Sequence, residues 1–169
     1  MLRKWTVRDL TLAAVVAALY AVLGYFGDLF GLTFGPVQIR FAEALTVLPF
    51  LFPAAAPGLA VGCLITNLLS PYGPVDIIFG TLATALAAWL TAKMPKWYLA
   101  ALPPVAVNWL ILPVIWAWAE VGGLGGAFWR VWAFNSVTFI LGEGAACWGL
   151  GTVLLKVLPR ILRSRRQTA

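Results

Sequence analysis

The stretch LTLAAVVAALYAVLGYF, from Leu10 to Phe26, contains no charged side chain in 17 positions. A helix that crosses a bilayer takes about 20 mostly apolar residues, so this stretch predicts a transmembrane helix. The rest of the chain has the same character, because charged residues make up 11% of its 169 positions, whereas soluble domains carry about 25%. So little charge does not cover the surface of a soluble protein, and we expect an integral membrane protein.

Turn-forming residues divide the remainder of the chain into five further apolar segments. Six spans use about 120 residues, which leaves no room for a separate soluble domain, so we expect one all-α transmembrane domain over residues 1–169. The second and third spans are short for about 30 Å of hydrocarbon; either they leave space for a cavity, or their true boundaries are wider. The six predicted helices are Leu10–Phe26, Gln38–Phe52, Gly58–Leu69, Asp76–Ala92, Leu99–Ala119 and Val131–Leu158.

The basic residues indicate how the chain lies in the membrane. If six spans alternate in direction, ten of the 12 Lys and Arg residues fall on the side of the two termini, and only Arg40 and Arg130 fall on the other. The positive-inside rule then predicts that both termini are cytoplasmic in a multi-pass protein of the cell membrane. This topology and anionic lipid explain the formal charge of +6, so we expect no nucleic-acid partner.

Missing residue types and motifs exclude several kinds of chemistry. The chain has no His, which removes His-based catalytic triads and most zinc sites. It also has no G-x-x-x-x-G-K-[ST] stretch, so it carries no nucleotide-binding phosphate loop of its own. Cys63 and Cys147 lie inside apolar segments and are interpreted as small packing residues. We therefore expect a protein without metal, cofactor or enzymatic activity. The alternative is an intramembrane enzyme, for which the lack of His leaves few catalytic pairs.

Polar side chains within the apolar segments collect in their outer half. Glu143 lies deepest, about 18 Å from the outer end of its helix at about 1.5 Å per residue. An ionisable group at that depth costs at least about 2.5–3.5 kcal/mol without a partner or water, so it indicates a functional site. The alternative is a packing role in which Arg40 or Asn108 holds Glu143. The candidate ligand-binding residues are Gln38, Arg40, Glu43, Asn67, Asp76, Asn108, Trp132, Asn135, Ser136, Phe139 and Glu143.

One face of the last helix has the composition of a binding surface. Trp132, Ser136, Phe139 and Glu143 are separated by four, three and four residues, so they share a face, and Asn135 flanks it. A planar heteroaromatic ligand suits this mixture, because an aromatic ring stacks on it and a carboxylate accepts two parallel N–H groups.

Two other acidic residues also have structural interpretations. Glu43 follows Arg40 by three residues, a spacing that favours an ion pair on one helix. Asp76 stands where the fourth helix begins, and Asp is favoured as a cap at helix starts.

Small residues recur along the first helix at Ala13, Ala14, Ala17, Ala18 and Ala21. A four-residue spacing of small side chains lets another helix approach closely. We interpret this stripe as a docking surface for a separate membrane protein, and the alternative is an internal packing face.

Five segments spread over nearly the whole chain carry a resemblance to a known family. They are Pro36–Phe50 (PVQIRFAEALTVLPF), Pro57–Asn67 (PGLAVGCLITN), Asp76–Thr84 (DIIFGTLAT), Leu102–Asn108 (LPPVAVN) and Leu141–Glu143 (LGE). Together they resemble the QueT family, the substrate-binding S components of energy-coupling-factor (ECF) transporters for queuosine precursors.

The resemblance implies a six-helix S component that captures a 7-deazaguanine, such as preQ1 or preQ0, from outside the cell. It implies a transmembrane T component and two cytoplasmic ATPase subunits as partners, with Ala13, Ala17 and Ala21 contacting the T component. For such a ligand we expect Glu143 or Glu43 to accept the N–H groups at N1 and the 2-amino group. Asp76 is the candidate partner for the aminomethyl cation of preQ1.

Two other transport functions stay open on the sequence. An S component for another vitamin, for instance a flavin or a folate, would have a wider pocket and fewer carboxylates. A proton-coupled secondary carrier would use Glu143 as its proton relay and would need no partner proteins.

Overall fold

A computed structural model describes residues 5–34 and 38–167, with side chains described as far as Arg163. These residues form helices and connecting turns and no β-strand, which confirms the all-α class. The N-terminal cations Arg3 and Lys4 and the start of the Pro36–Phe50 segment lie outside the described residues. The α-helices are α1 (Val7–Leu29), α2 (Ala55–Asn67), α3 (Pro74–Thr91), α4 (Leu102–Val121), α5 (Gly126–Gly144) and α6 (Thr152–Gln167).

Three less common helical segments complete the chain. A 3₁₀ helix spans Phe41–Phe50, a single 3₁₀ turn at Trp97–Leu99 precedes α4, and a π-helical segment at Ala145–Gly151 joins α5 to α6. The predicted helix Gln38–Phe52 therefore begins too early, because Arg40 has an extended backbone with φ −89° and ψ 97°. Pro49 lies inside the 3₁₀ helix, where its missing N–H and its ring are incompatible with a regular α-helix.

Four stretches are long and apolar enough to cross a membrane, namely Val7–Leu29, Pro74–Thr91, Trp97–Val121 and Gly126–Arg163. The other two predicted spans correspond to the 3₁₀ helix Phe41–Phe50 and to α2. Each of these rises only about 20 Å, at about 2.0 Å and 1.5 Å per residue respectively. The prediction that these two segments are short is confirmed.

Contacts between helices fix their directions. α1 and α2 run parallel, because Ala13 lies beside Gly58 and Gly24 lies beside Thr66. α3 returns antiparallel to α2, with the side chain of Asn67 at the end of α2 bonded to the start of α3. α4 then runs back along α3, and α5 continues through the π segment into α6 in the direction of α3. We call the end where α1, α2 and α4 finish the upper end of the bundle.

The contact between α1 and α2 uses part of the alanine stripe. A Cβ on Gly58 would overlap the Ala13 carbonyl, and a Cβ on Gly62 would lie 2.8 Å from the Ala17 carbonyl. The backbones approach this closely because glycine has no side chain. Ala13 and Ala17 therefore do pack internally, as the alternative interpretation held, whereas Ala14 and Ala18 are exposed and Ala21 is half-buried.

Both cysteines are free and buried, as expected of packing residues. The Thr84 hydroxyl donates to Cys63 Sγ at 3.3 Å. Cys147 Sγ lies 3.4 Å from the Glu43 carbonyl oxygen, so it joins the π segment to the 3₁₀ helix.

Candidate functional site

An ion pair between the segment before the 3₁₀ helix and α3 lies inside the upper half of the bundle. Arg40 Nη2 is 3.5 Å from Asp76 Oδ2, and the two side chains are 4% and 0% exposed. Trp116 Nε1 donates to Asp76 Oδ1 at 3.1 Å, and Asn67 Nδ2 donates to the Asp76 carbonyl oxygen at 3.1 Å. The predicted capping role of Asp76 is wrong, because Gly73 occupies the N-cap and no side chain caps α3.

The predicted Arg40–Glu43 pair does not form either. The i,i+3 rule applies to two residues on one helix, but Arg40 precedes the helix in an extended conformation. Its guanidinium instead reaches Asp76 and lies 5.1 Å from the centre of the Phe34 ring. It is also 5.8 Å from the centre of the Trp116 ring, so aromatic faces and one carboxylate surround the cation.

Two acidic residues, Glu43 and Glu143, lie deeper in the bundle. Tyr20 Oη donates to Glu43 Oε1, and Asn108 Nδ2 donates to Glu143 Oε1 at 3.1 Å. The carboxyl groups of Glu43 and Glu143 are close enough to interact with each other, and both side chains are buried. The Asn108–Glu143 contact that the packing interpretation anticipated is thus present.

The buried cluster has more acceptors than the protein itself satisfies. It holds three carboxyl groups, of Glu43, Asp76 and Glu143, and the single guanidinium of Arg40. Buried polar atoms normally have hydrogen-bond partners, so unpaired ones indicate room for a ligand or water. The buried acceptor atoms left unpaired by the described residues include Gln38 Oε1, Glu43 Oε2, Asn67 Oδ1, Asn108 Oδ1 and Ser136 Oγ.

A cavity of about 230 Å³ lies at the upper end of this cluster. Its aromatic wall is built around Trp116, on which the Tyr72 ring stacks at 5.4 Å and 15°. The Phe139 ring meets Trp116 edge-on at 5.7 Å and lies one turn above Glu143 on α5. The cavity is lined by Phe34, Gln38, Tyr72, Trp116, Asn135, Thr138 and Phe139.

A hydrogen-bonded group of three side chains borders the cavity. Tyr72, in the loop between α2 and α3, donates its hydroxyl to Glu120 Oε1 at 2.8 Å. Asn135 Nδ2 lies 3.4 Å from the same oxygen. Burial, and after it the hydrogen bond to Glu120, raises the pKa of Tyr72 above its usual value, so the hydroxyl stays protonated and acts as a donor.

The structure brings most of the predicted site residues together, with one exception. Gln38, Asn135 and Phe139 line the cavity, and Ser136 is buried. Trp132 is half-buried, lies outside the cavity lining, and packs its ring edge-on against Trp129 at 5.8 Å.

Sequence reasoning missed Tyr20, Phe34, Tyr72, Trp116 and Glu120. The sequence does carry a signal for Trp116 and Glu120. They follow the predicted site residue Asn108 at multiples of four residues along α4, so the three side chains lie on one face of the helix. Tyr72 lies in a turn, and no periodicity marks it.

Gly142 holds the segment before the 3₁₀ helix against α5. A Cβ at this position would overlap the Gln38 carbonyl, so only glycine allows this approach. We expect Gly142→Ala to lower the free energy of unfolding by about 1–3 kcal/mol through overpacking, as measured by thermal unfolding in detergent. Gly149→Ala is the matched control, because nothing lies within 4 Å of its added Cβ. Equal stability of the two variants would contradict the prediction.

Comparison with known proteins identifies the family. A family model described as "QueT transporter" matches residues 10–160. The chain is similar to the "Queuosine precursor transporter QueT" of Lactococcus lactis subsp. cremoris (strain MG1363), at 35% identity over 83 residues. That match covers 49% of this chain and 48% of the relative, so it spans about half the length of each. No solved structure matches the chain. Together with its apolar helices, the family match over most of the sequence shows that the chain belongs to the QueT transporter family and is a multi-pass protein of the cell membrane.

Proposed function

We propose that this chain is the S component of an ECF importer, a single substrate-binding domain over residues 1–169. Its substrate is a queuosine precursor, a 7-deazaguanine such as preQ1 or preQ0. The observation that carries the proposal is the acceptor-rich cluster of buried carboxyl and amide groups beside an aromatic-lined cavity. The name of the Lactococcus relative, which mentions a queuosine precursor, supports it.

The ligand's chemistry matches this cluster. A guanine-like edge presents adjacent N–H donors at N1 and the 2-amino group, and a carboxylate accepts such a pair in parallel. Glu143 or Glu43 takes this role, since neither is neutralised by a direct ion pair among the described residues. Trp116 or Phe139 stacks on the bicyclic ring. The side-chain amides of Asn67, Asn108 and Asn135 form hydrogen bonds with the carbonyl group and the pyrrole N–H of the ligand.

The size of the cavity favours a small bicyclic ligand over a larger vitamin. Pockets for drug-sized ligands measure about 300–1,000 Å³, and this one measures about 230 Å³. A flavin or folate would need a wider space and fewer carboxyl groups.

A binding titration tests the proposal directly. The purified chain in detergent is titrated with preQ1, preQ0, queuine, guanine and riboflavin while tryptophan fluorescence is followed. Trp116 lines the cavity, so we expect saturable quenching with 7-deazaguanines alone. Binding of riboflavin would keep the transporter class and reject the ligand, and no binding of any compound would reject the function.

The partners in this proposal are a transmembrane T component and two cytoplasmic ATPase subunits. A wholly apolar groove of about 300 Å³ runs between α1 and α2, and small side chains at such a surface let a partner helix approach. The groove is lined by Trp5, Leu10, Ala13, Ala14, Ala17, Pro57, Gly58 and Val61. Ala18 and Ala21 extend the same stripe along α1.

Filling this groove should prevent assembly without affecting ligand binding. Ala14 is exposed and lines the groove, so we expect Ala14→Trp to reduce co-purification with the T component and ATPases at least about tenfold, because a bulky ring blocks close helix approach. Leu19→Trp, at an exposed position of α1 outside the groove lining, is the control. Full co-purification of Ala14→Trp would show that docking uses another surface.

The upper end of the bundle faces outside in this proposal, and both termini are cytoplasmic. The support is the distribution of basic residues. The described cations near the lower end are Arg8, Lys93, Lys96, Lys156, Arg160 and Arg163, whereas Arg40 and Arg130 lie in the upper half.

One observation favours proton-coupled transport as a second candidate. Tyr20, Glu43 and Glu143 form a buried chain of exchangeable groups, which is typical of proton relays in membrane carriers. The chain reconstituted alone in liposomes distinguishes the two functions. A carrier accumulates ligand when a proton gradient is applied, whereas an S component requires its partners and ATP.

A further inference from the structure

The α4 face that borders the site carries polar groups from the deep cluster to the upper end. Asn108 bonds to Glu143 in the deep layer, and the indole N–H of Trp116 bonds to Asp76 in the middle layer. Glu120 follows one turn later, about 6 Å further up at about 1.5 Å per residue. It is joined to two cavity-lining residues, Tyr72 and Asn135.

One oxygen of the Glu120 carboxylate accepts no hydrogen bond from the described residues. Both of its hydrogen bonds go to Oε1, and Oε2 accepts none from the part of the chain that the structure describes. No described Lys or Arg forms an ion pair with it, and the guanidinium of Arg40 is paired with Asp76. Glu120 is exposed, so its carboxylate is an accessible negative charge with which no described cation pairs. Gln38, whose buried Oε1 has no partner among the described residues, lines the same cavity as Tyr72 and Asn135.

We propose that Glu120 is a specificity-determining residue that binds a cationic 7-substituent of the ligand. The inference rests on the proposed function and refines its substrate class. If the guanine-like edge points toward Glu43 and Glu143, the substituent on C7, on the far side of the bicycle, points toward the upper end. The aminomethyl group of preQ1 is a protonated amine at neutral pH, whereas the nitrile of preQ0 is uncharged. Glu120 therefore favours preQ1.

Asp76, the residue that the sequence suggested for this cation, is less suitable. Its carboxylate is already paired with Arg40 and accepts the indole N–H of Trp116. A second cation there would lie in a buried site beside the Arg40 guanidinium, and like charges in a buried site repel each other.

Tyr72 is the positioning residue for Glu120. Its hydroxyl donates to Oε1 while its ring stacks on Trp116, so it holds the carboxylate beside the aromatic wall. Tyr72→Phe keeps the stacked ring and removes only the hydrogen bond. We expect it to weaken the preference for preQ1 less than Glu120→Gln does.

The test measures dissociation constants of preQ1 and preQ0 for the full chain in detergent, for wild type, Glu120→Gln, Tyr72→Phe and Asp28→Asn. We expect Glu120→Gln to lower the preQ1-to-preQ0 preference about tenfold, as for loss of a hydrogen-bonded charge. Asp28→Asn is the charge-matched control, because Asp28 is a half-buried acid near the upper end of α1 outside the cavity lining. It should keep the wild-type preference.

A second readout needs no variant. If an ion pair binds the amine, added NaCl weakens preQ1 binding more than preQ0 binding, because salt screens exposed charges. An unchanged preference in Glu120→Gln, or equal salt dependence of the two ligands in wild type, overturns the inference while the proposed function stands. Failure of the wild-type chain to bind either ligand overturns the proposed function itself.

Discussion

Replacing Asp76 with Ala should lower the free energy of unfolding by about 3–5 kcal/mol, the cost expected when one partner of a buried ion pair is removed. The loss leaves the Arg40 guanidinium, 4% exposed, without its only carboxylate within ion-pair distance among the described residues. It also removes the acceptor of the Trp116 indole N–H. Unfolding of the purified chain in mixed micelles with increasing dodecyl sulfate, followed by circular dichroism, measures the change.

Two further variants separate the charge from the hydrogen bond. Asp76→Asn keeps an acceptor for Trp116 but removes the negative charge, so we expect most of the destabilisation to remain. The double variant Arg40→Met with Asp76→Leu removes both charges and fills their space, and such replacements are often neutral or stabilising. We therefore expect it to regain much of the lost stability. A wild-type unfolding midpoint for Asp76→Ala would show that Arg40 finds water or another acceptor.

The membrane class and the approximate positions of most helices were predictable from the sequence because apolar runs and turn formers are local signals. The predicted helix Val131–Leu158 was wrong in its start and its continuity, because α5 begins at Gly126 and a π segment separates it from α6. The partners of the charged residues were not. Arg40 and Glu43 have the spacing of an ion pair, yet the backbone at Arg40 is extended. The partner of Arg40 is Asp76, 36 residues later in the sequence, on α3. Pairing across helices depends on packing that periodicity does not encode.

In the candidate site too, local spacing predicted some residues, whereas others depend on tertiary packing. The face of Ser136, Phe139 and Glu143 was predictable because helical spacing places them together, and all three are buried as expected of an inward face. Trp132 continues that spacing but packs against Trp129 near the start of α5 instead. Tyr72 was not predictable, since a turn residue reaches the cavity only through the tertiary arrangement of α3 and α4.

Glu143→Gln and Glu43→Gln should identify which carboxylate binds the guanine-like edge. The substituted amide presents N–H₂ where an acceptor is needed, and hydrogen bonds to charged groups are worth about 1.5–3 kcal/mol. We therefore expect the affinity for preQ1 to fall about 10- to 100-fold in the variant that loses the bidentate contact. The other variant should lose less affinity, because its carboxyl group forms no hydrogen bond to the ligand and contributes only through its electrostatic field.

Ligand chemistry makes this prediction specific. The 7-deazahypoxanthine analogue of preQ1 lacks the 2-amino group, so it forms only one of the two parallel hydrogen bonds. We expect wild type to discriminate against this analogue and the affected Gln variant to lose that discrimination. A variant that was merely misfolded would lose affinity for both ligands equally. Wild-type affinity in both Gln variants would exclude the carboxylates from recognition and leave Glu43 and Glu143 as candidates for a proton relay, because their close, buried arrangement with Tyr20 would then still require a role.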